Sequence, residues 1–244
     1  MISTDILRQV LTDNRNLVAQ KKVFPRDIEI GELPRCVLVG VRRSGKSYLL
    51  FSKIQSLLAS GHSWDKVLYV NFEDERLMGF DVADFNKLLE VQAELSGKDS
   101  LPALFLDEVQ LIDGWEKFAR RMADAQAEIY ITGSNAKMLS IQIAAALGGR
   151  FLTVNVFPLN FSEYLKAKGV AVRKDVWSST TGKARILREF AEFFEYGGLP
   201  ECVQFSNKLE YINSVFQKIY LGDIIVRNKV TNALPAVGRE IRTW

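Results

Sequence analysis

Histidine and cysteine are nearly missing from this 244-residue chain, which has one of the first and two of the second. His62 stands alone in the polar stretch GHSWDK. That excludes a histidine-rich metal site and any catalytic triad built on histidine. Cys36 and Cys202 lie far apart, without CxxC spacing or a Cys/His neighbour. The expectation is two buried free thiols rather than a disulfide or a zinc site. Long apolar runs are absent too. The most hydrophobic stretches, LPALFLDEVQ and AEIYITGS, fall short of the roughly 18–20 residues that a membrane-spanning helix needs. The first residues, MISTDILRQVLTDNRNLVAQKK, alternate polar and apolar at helical spacing and lack the continuous apolar centre of a secretion signal. We therefore expect no membrane partner and a cytoplasmic location. Charge of one sign is scarce: 32 basic residues against 29 acidic ones leave a net +3, too little to imply nucleic-acid binding. Internal repeats, low-complexity tracts and Pro/Ser-rich linkers are likewise missing.

What remains has the balance of a globular protein, 48% apolar and 25% charged, with room for one large α/β domain and a smaller one. Helical spacing covers about residues 4–20, and a short apolar segment follows around 28–30. Apolar, β-branched strands are expected at 36–40 (CVLVG), 66–72 (KVLYVNF), 103–108 (ALFLDE), 128–132 (EIYIT) and 151–157 (FLTVNVF). Helices fall between them, near 46–60, within 82–96, through 115–126 and at about 136–147. Short apolar strands alternating with helices predict a central parallel sheet in a three-layer α/β fold. After Pro158 the period changes. NFSEYLKAKG, ARILREFAEFFEYGG and KLEYINSVFQKIYLGDII read as helices without a clear strand between them. The end, GREIRTW, reads as an unfinished helix, and the expectation is a piece of a longer protein.

The strongest local signal is Gly40-Val41-Arg42-Arg43-Ser44-Gly45-Lys46-Ser47. It fits GxxxxGK[ST], and it has the required context of a strand before it and a helix after it. Gly40 and Gly45 let the backbone turn its amides inward around phosphates, and the helix N-terminus adds partial positive charge. Lys46 would reach the β- and γ-phosphates, and the Ser47 hydroxyl would help to hold Mg2+. Tyr48, next in the helix, completes the candidate nucleotide-binding set. The alternative is a chance glycine-rich turn.

Such a loop serves kinases and GTPases as well as ATPases. Leu104-Phe105-Leu106-Asp107-Glu108 narrows the choice. The strand would carry Asp107 to the carboxyl edge of the sheet, where it could orient Mg2+ through water, with Glu108 beside it to polarise an attacking water. The alternative is a solvated acidic pair at a strand end. The next strand ends in Thr132-Gly133-Ser134-Asn135, and in such a sheet its carboxyl end lies between the other two motifs. A polar side chain there, Asn135 or Ser134 with Thr132 a further candidate, could sense the γ-phosphate. Ser134 or Asn135 could equally be the N-cap of the helix after it. Asn207-Lys208 continues as Leu-Glu, so no guanine-reading Asn-Lys-x-Asp element is found and ATP is favoured over GTP.

Taken in order, GVRRSGKS, FLDEVQ, ITGSNAKML, LGGRFLTVNVFPLNFSEYL and YGGLPECV resemble the AAA+ superfamily. More narrowly, they resemble a bacterial and archaeal group of ATPases whose core is followed by a domain of unknown function, often with a nuclease-like tail. The resemblance runs from about residue 15 to 230. Its first two motifs are generic to many ATPases, and its later ones are more particular. It implies an AAA+ type P-loop core with its N-terminal helix over 1–165. A helical, lid-like domain and the start of a further domain would fill 166–244. It also implies an arginine finger at Arg150 that serves a neighbouring subunit of a homo-oligomer; the alternative is a cation at a helix C-terminus. Gly198 and Pro200 resemble a turn whose proline approaches the nucleotide, and a plain helix-ending turn is the alternative. Arg42 and Arg43 match the group's arginine pair, which could meet phosphate or a neighbour, or simply face solvent. The group's domain of unknown function is expected to be incomplete in these residues, and no nuclease-like tail is expected among them.

The functional expectation is an ATP- and Mg2+-dependent hydrolase acting as a switch or motor module, with Glu108, Lys46, Asn135 and Arg150 catalytic. A nucleotide-gated interaction protein with negligible turnover is the alternative. A DNA-associated ATPase in defence or genome maintenance is another. The protein or DNA partner is not legible.

Overall fold

A computed structural model describes residues 1–28, 30, 34–97, 100–134, 146–171, 176 and 178–217. It divides into two compact units, Met1–Phe157 and Pro158–Trp244. The expected helix at 136–147 lies almost wholly outside the described residues, as does the continuation of the last helix beyond 217.

The first unit is built on five strands: β1 (Arg35–Gly40), β2 (Val67–Asn71), β3 (Ala103–Asp107), β4 (Ile129–Ser134) and β5 (Leu152–Asn155). Their order is β2-β3-β4-β1-β5, and every pairing is parallel. Alternate residues point to opposite faces, as the pleat requires. One face (Val37, Val39, Leu68, Val70, Leu104, Leu106, Ile129, Ile131) packs on α3 (Asp84–Ser96) and α4 (Trp115–Asp124). The other face (Cys36, Leu38, Tyr69, Phe105, Tyr130) packs on α2 (Lys46–Ala59) through Leu50, Phe51 and Ile54. This is the three-layer α/β fold that the strand–helix alternation predicts, with strands buried on both sides. The first helix, α1 (Thr4–Gln20), is capped by Ser3, whose side chain accepts from the Ile6 amide. It buries Leu7, Val10, Leu11 and Val18 and lies along the β2 edge, touching α2 and α3.

Topology locates the site. From β1 the chain crosses to β2 at one edge, and from β4 it crosses to β5 at the other. Ligands of open parallel sheets bind at the carboxyl ends of strands where connections part in this way, here between β1 and β4. There β4 lies between β3 and β1, and Gly40 and Ser134 are register partners.

Among its described residues the second unit has helices and no strand. Helix α5 (Phe161–Ala167) opens with a capping box: Asn160 accepts from the Glu163 amide, and the Glu163 side chain accepts from the Asn160 amide. Ser179 caps α6 (Thr180–Tyr196), and Asn207 caps α7 (Lys208–Val215). A 3-10 turn, Pro200–Gln204, stands between those two helices. Two apolar clusters hold the unit, one on Leu159, Tyr164, Leu165, Val170 and Ile186, the other on Cys202, Tyr211 and Val215. The motifs PLNFSE and YGGLP meet here: the Leu159 amide donates to the Gly198 carbonyl at 2.7 Å. A Cβ at Gly198 would stand 2.1 Å from the Leu159 carbonyl oxygen, so only glycine fits that approach.

A candidate phosphate-binding site at the carboxyl edge of the sheet

The loop after β1 is shaped by two close approaches. At Gly40 a Cβ would lie 2.1 Å from the Val156 carbonyl oxygen, because the chain leaving β5 crosses there and the Val156 amide donates to the Val39 carbonyl at 2.7 Å. At the other end Gly45 has φ 97°, the left-handed conformation that favours glycine. Gly45 is also the N-cap of α2, and it brings no side chain to the helix start. The amides that open α2 therefore have no side-chain cap and face the loop. Arg26 pins the outside of the loop, donating to the carbonyls of Ser44 at 3.0 Å and Phe157 at 2.8 Å. The sequence reading missed Arg26, and nothing in its surroundings, FPRDIEI, distinguishes it.

Lys46 is the centre of the arrangement. Its side chain is 4% exposed, and its ammonium donates to the carbonyls of Gly40 and Val41 at 3.2 Å each. Glu108 Oε1 stands 4.0 Å away. Burial pushes the Lys46 pKa down, and Glu108 and Asp107 pull it back up. Ser44 Oγ is buried without a hydrogen-bond partner, which is costly unless a ligand supplies one. Val41 and Arg42 are half-buried; Arg43 is exposed, with φ 64°. The Tyr48 ring lies 5.4 Å from that of Phe51.

Asp107 is buried on the α2 face of the sheet. Its carboxylate accepts from the hydroxyls of Thr132 on β4, Ser47 at the start of α2, and Tyr69 on β2, the last at 2.9 Å. Burial raises its pKa, and the three hydroxyls oppose that. Glu108 follows in the left-handed region, φ 53° and ψ 40°. Its amide donates to Thr132 Oγ1 at 2.9 Å, and its carboxylate accepts from the Gln110 side-chain amide. Glu73, just past β2, is a third carboxylate near this centre. Burial and then Glu108 raise its pKa, while Arg42 and Lys46 draw it down. Glu73, Tyr69 and Gln110 were not foreseen. The only signals were a tyrosine inside an otherwise apolar strand and polar residues just beyond strand ends.

Asn135 lies outside the described residues. Arg150 precedes β5, at the amino end of the sheet and opposite the loop. It donates to Asp124, at the end of α4, at 2.7 Å. Pro200 belongs to the second unit, at the first position of its 3-10 turn. Cys36 and Cys202 are free and buried. Among the described residues no helix is long and apolar enough to cross a membrane.

A glycine-framed loop between a central strand and its helix, faced by an acidic pair from the strand two places along the sheet, is the arrangement of an AAA+ type P-loop domain. A family model described as AAA domain matches residues 34–165, more than half of the chain, and the chain belongs to that family. An uncharacterized protein of Methanocaldococcus jannaschii is 39% identical over 238 residues, covering 95% of this chain and 52% of its own length. Another, from Haemophilus influenzae, is 34% identical over 195 residues, covering 78% of this chain and 46% of its own. The chain thus spans about half the length of these curated relatives. Among solved structures, AMPPCP-bound DnaA from Aquifex aeolicus aligns over 94% of this chain and 67% of that one, at 16% identity and a TM-score of 0.42. No residue role is carried over from so loose a superposition.

Proposed function

We propose that the chain binds ATP with Mg2+ at this loop and hydrolyses it, as a switch or motor module. The observation that carries the reading is the buried Lys46 ammonium, set between the loop carbonyls and Glu108 beneath the uncapped start of α2. A buried cation beside unsatisfied donors fits a polyanion better than it fits a packed core. The orphaned Ser44 hydroxyl supports the same fit. In this reading the amides of residues 41–48 cradle the phosphates, and Lys46 turns from its own carbonyls to the β- and γ-oxygens. Ser47 and Asp107 would hold Mg2+, whose chemistry when bound is to neutralise charge on the phosphate oxygens. Glu108 takes the proton of the water that attacks the γ-phosphorus, as the bond to the β–γ bridging oxygen breaks. Asn135 would sense that phosphate. Arg150, a strand's length from its own loop, would serve a neighbouring copy. Motion would pass to the unit after Phe157, with Pro200 approaching the nucleotide.

The test is Glu108→Gln. ATP hydrolysis is expected to fall by about 10²–10⁴-fold, with Mg-ATP binding retained by calorimetry. A variant as fast as the wild type removes Glu108 from the role of base. A wild-type protein giving no heat with Mg-ATP removes the whole reading.

One observation favours a second reading. Gln110 engages the Glu108 carboxylate, and a base so held turns over slowly, as in a nucleotide-gated interaction protein. Single-turnover phosphate release decides between them: release much slower than nucleotide exchange supports the gate, and release that keeps pace supports the motor.

A further inference from the structure

We infer that Tyr69 and Thr132 are positioning residues whose hydroxyls, from the strands on either side of β3, hold the Asp107 carboxylate in the orientation that receives a magnesium ion with the nucleotide. The inference rests on the proposed reading of Asp107 and Ser47, and it assigns work to two residues outside the loop and the acidic pair.

The geometry follows from register. In the parallel pairing of β2 and β3, Tyr69 lies opposite Phe105 and Asn71 opposite Asp107. Tyr69 therefore starts two residues below Asp107, on the same face of the sheet. The gap along the strand is roughly 7 Å, which a phenol spans and a shorter side chain does not. Its hydroxyl reaches Asp107 Oδ2 at 2.9 Å. From β4 the Thr132 hydroxyl donates to Oδ1 and also accepts from the Glu108 amide. Each carboxylate oxygen thus has its own donor from a different strand. The last torsion of an aspartate side chain is broad and nearly two-fold, so these two donors fix what the rotamer alone leaves loose.

Packing does not explain the hydroxyl on Tyr69. The side chain is 4% exposed in the apolar cluster on the α2 face, its ring edge-on to Phe51 with centroids 5.4 Å apart. Phenylalanine would fill that place equally well. A buried phenolic hydroxyl persists where it has a partner, and here its partner is Asp107.

The experiment is calorimetry of a non-hydrolysable ATP analogue, with Mg2+ and with excess EDTA, on the wild type, Tyr69→Phe, Thr132→Val and Thr132→Ser. Wild type is expected to bind more tightly with Mg2+. Tyr69→Phe and Thr132→Val should each lose about tenfold of that gain, the usual worth of a hydrogen bond to a charged group. Affinity in EDTA should stay within about twofold, and Thr132→Ser should keep most of the gain. An undiminished gain in a folded Tyr69→Phe protein, or in Thr132→Val should the first not fold, overturns the inference. Equal losses with and without Mg2+ also overturn it, since they mark a purely structural role. A wild type indifferent to Mg2+ sinks instead the reading of Asp107 and Ser47 as its holders.

Discussion

The site of the first unit gathers its buried polar groups differently from the second unit. In the first, Ser44, Lys46, Asp107 and Thr132 come from a loop, a helix and two strands and converge at one end of the sheet. Among the described residues of the second, the buried carboxylates Glu163 and Glu189 each have a close partner. Glu163 completes a capping box with Asn160 three residues away, and Glu189 pairs with Lys168 at 2.6 Å. A polar group answered within its own helix or an adjoining one stabilises the fold. Groups drawn together from distant stretches are what the proposed nucleotide site requires.

The sharpest way to break this contrast is through two glycines in equivalent straits. Gly40 and Gly198 each sit where a Cβ would strike a carbonyl oxygen at 2.1 Å. Backbone cannot yield as a side-chain tip does, so Gly40→Ala should cost about 3 kcal/mol and abolish Mg-ATP binding. Gly198→Ala should cost a similar amount, read by thermal melting. Its effect on nucleotide decides the part of Pro200: weakened Mg-ATP binding supports its approach to the nucleotide, and unchanged binding makes the turn structural only.

A smaller effect is expected at Lys168, which joins Glu189 at 2.6 Å and Glu192 at 2.9 Å. Burial alone would raise Glu192, but its hydrogen bonds, led by that of Lys168, outweigh it and hold the pKa below the usual carboxylate range. A depressed carboxylate stabilises the fold above its unfolded pKa, and that contribution fades as pH falls through the folded value. Lys168→Met should therefore cost about 1–2 kcal/mol near neutrality, after allowance for solvent screening. The deficit should shrink between about pH 5 and pH 3. Urea denaturation followed by circular dichroism measures it, and a deficit independent of pH would mean that packing, rather than charge, is lost.

The smallest expected change is at the capping box. Glu163→Ala removes the acceptor of the Asn160 amide and should cost about 1 kcal/mol, with ATP hydrolysis unaltered. A large loss of hydrolysis would show that the second unit's buried groups are not the local supports described above.

How much the sequence disclosed follows the same division. GVRRSGKS and FLDE are contiguous, and each carries its local geometry: tight backbone needs glycine at 40 and 45, and an apolar strand followed by acids ends at a sheet edge. Strand–helix alternation disclosed the layers for similar reasons. Tyr69 and Glu73 were not legible, because their meaning arises only when parallel register brings β2 beside β3. Thr132 was weighed as a phosphate sensor, yet its hydroxyl is engaged by Asp107 and the Glu108 amide. A side chain's parity on its strand is readable from sequence, but which strand lies next to it is not. Arg26 acts through two backbone carbonyls, Ser44 and Phe157, and backbone acceptors leave no trace in a pattern of side chains.

The left-handed turn of the chain at Glu108 has a consequence of its own. A β-carbon in that region strains the backbone by about 1–2 kcal/mol, so this carboxylate stands where the surrounding strands hold it against local preference. Loss of chemistry and loss of stability, which usually travel together, should separate at this one position. Asparagine, which tolerates the same turn, would silence the acid while leaving the protein harder to melt.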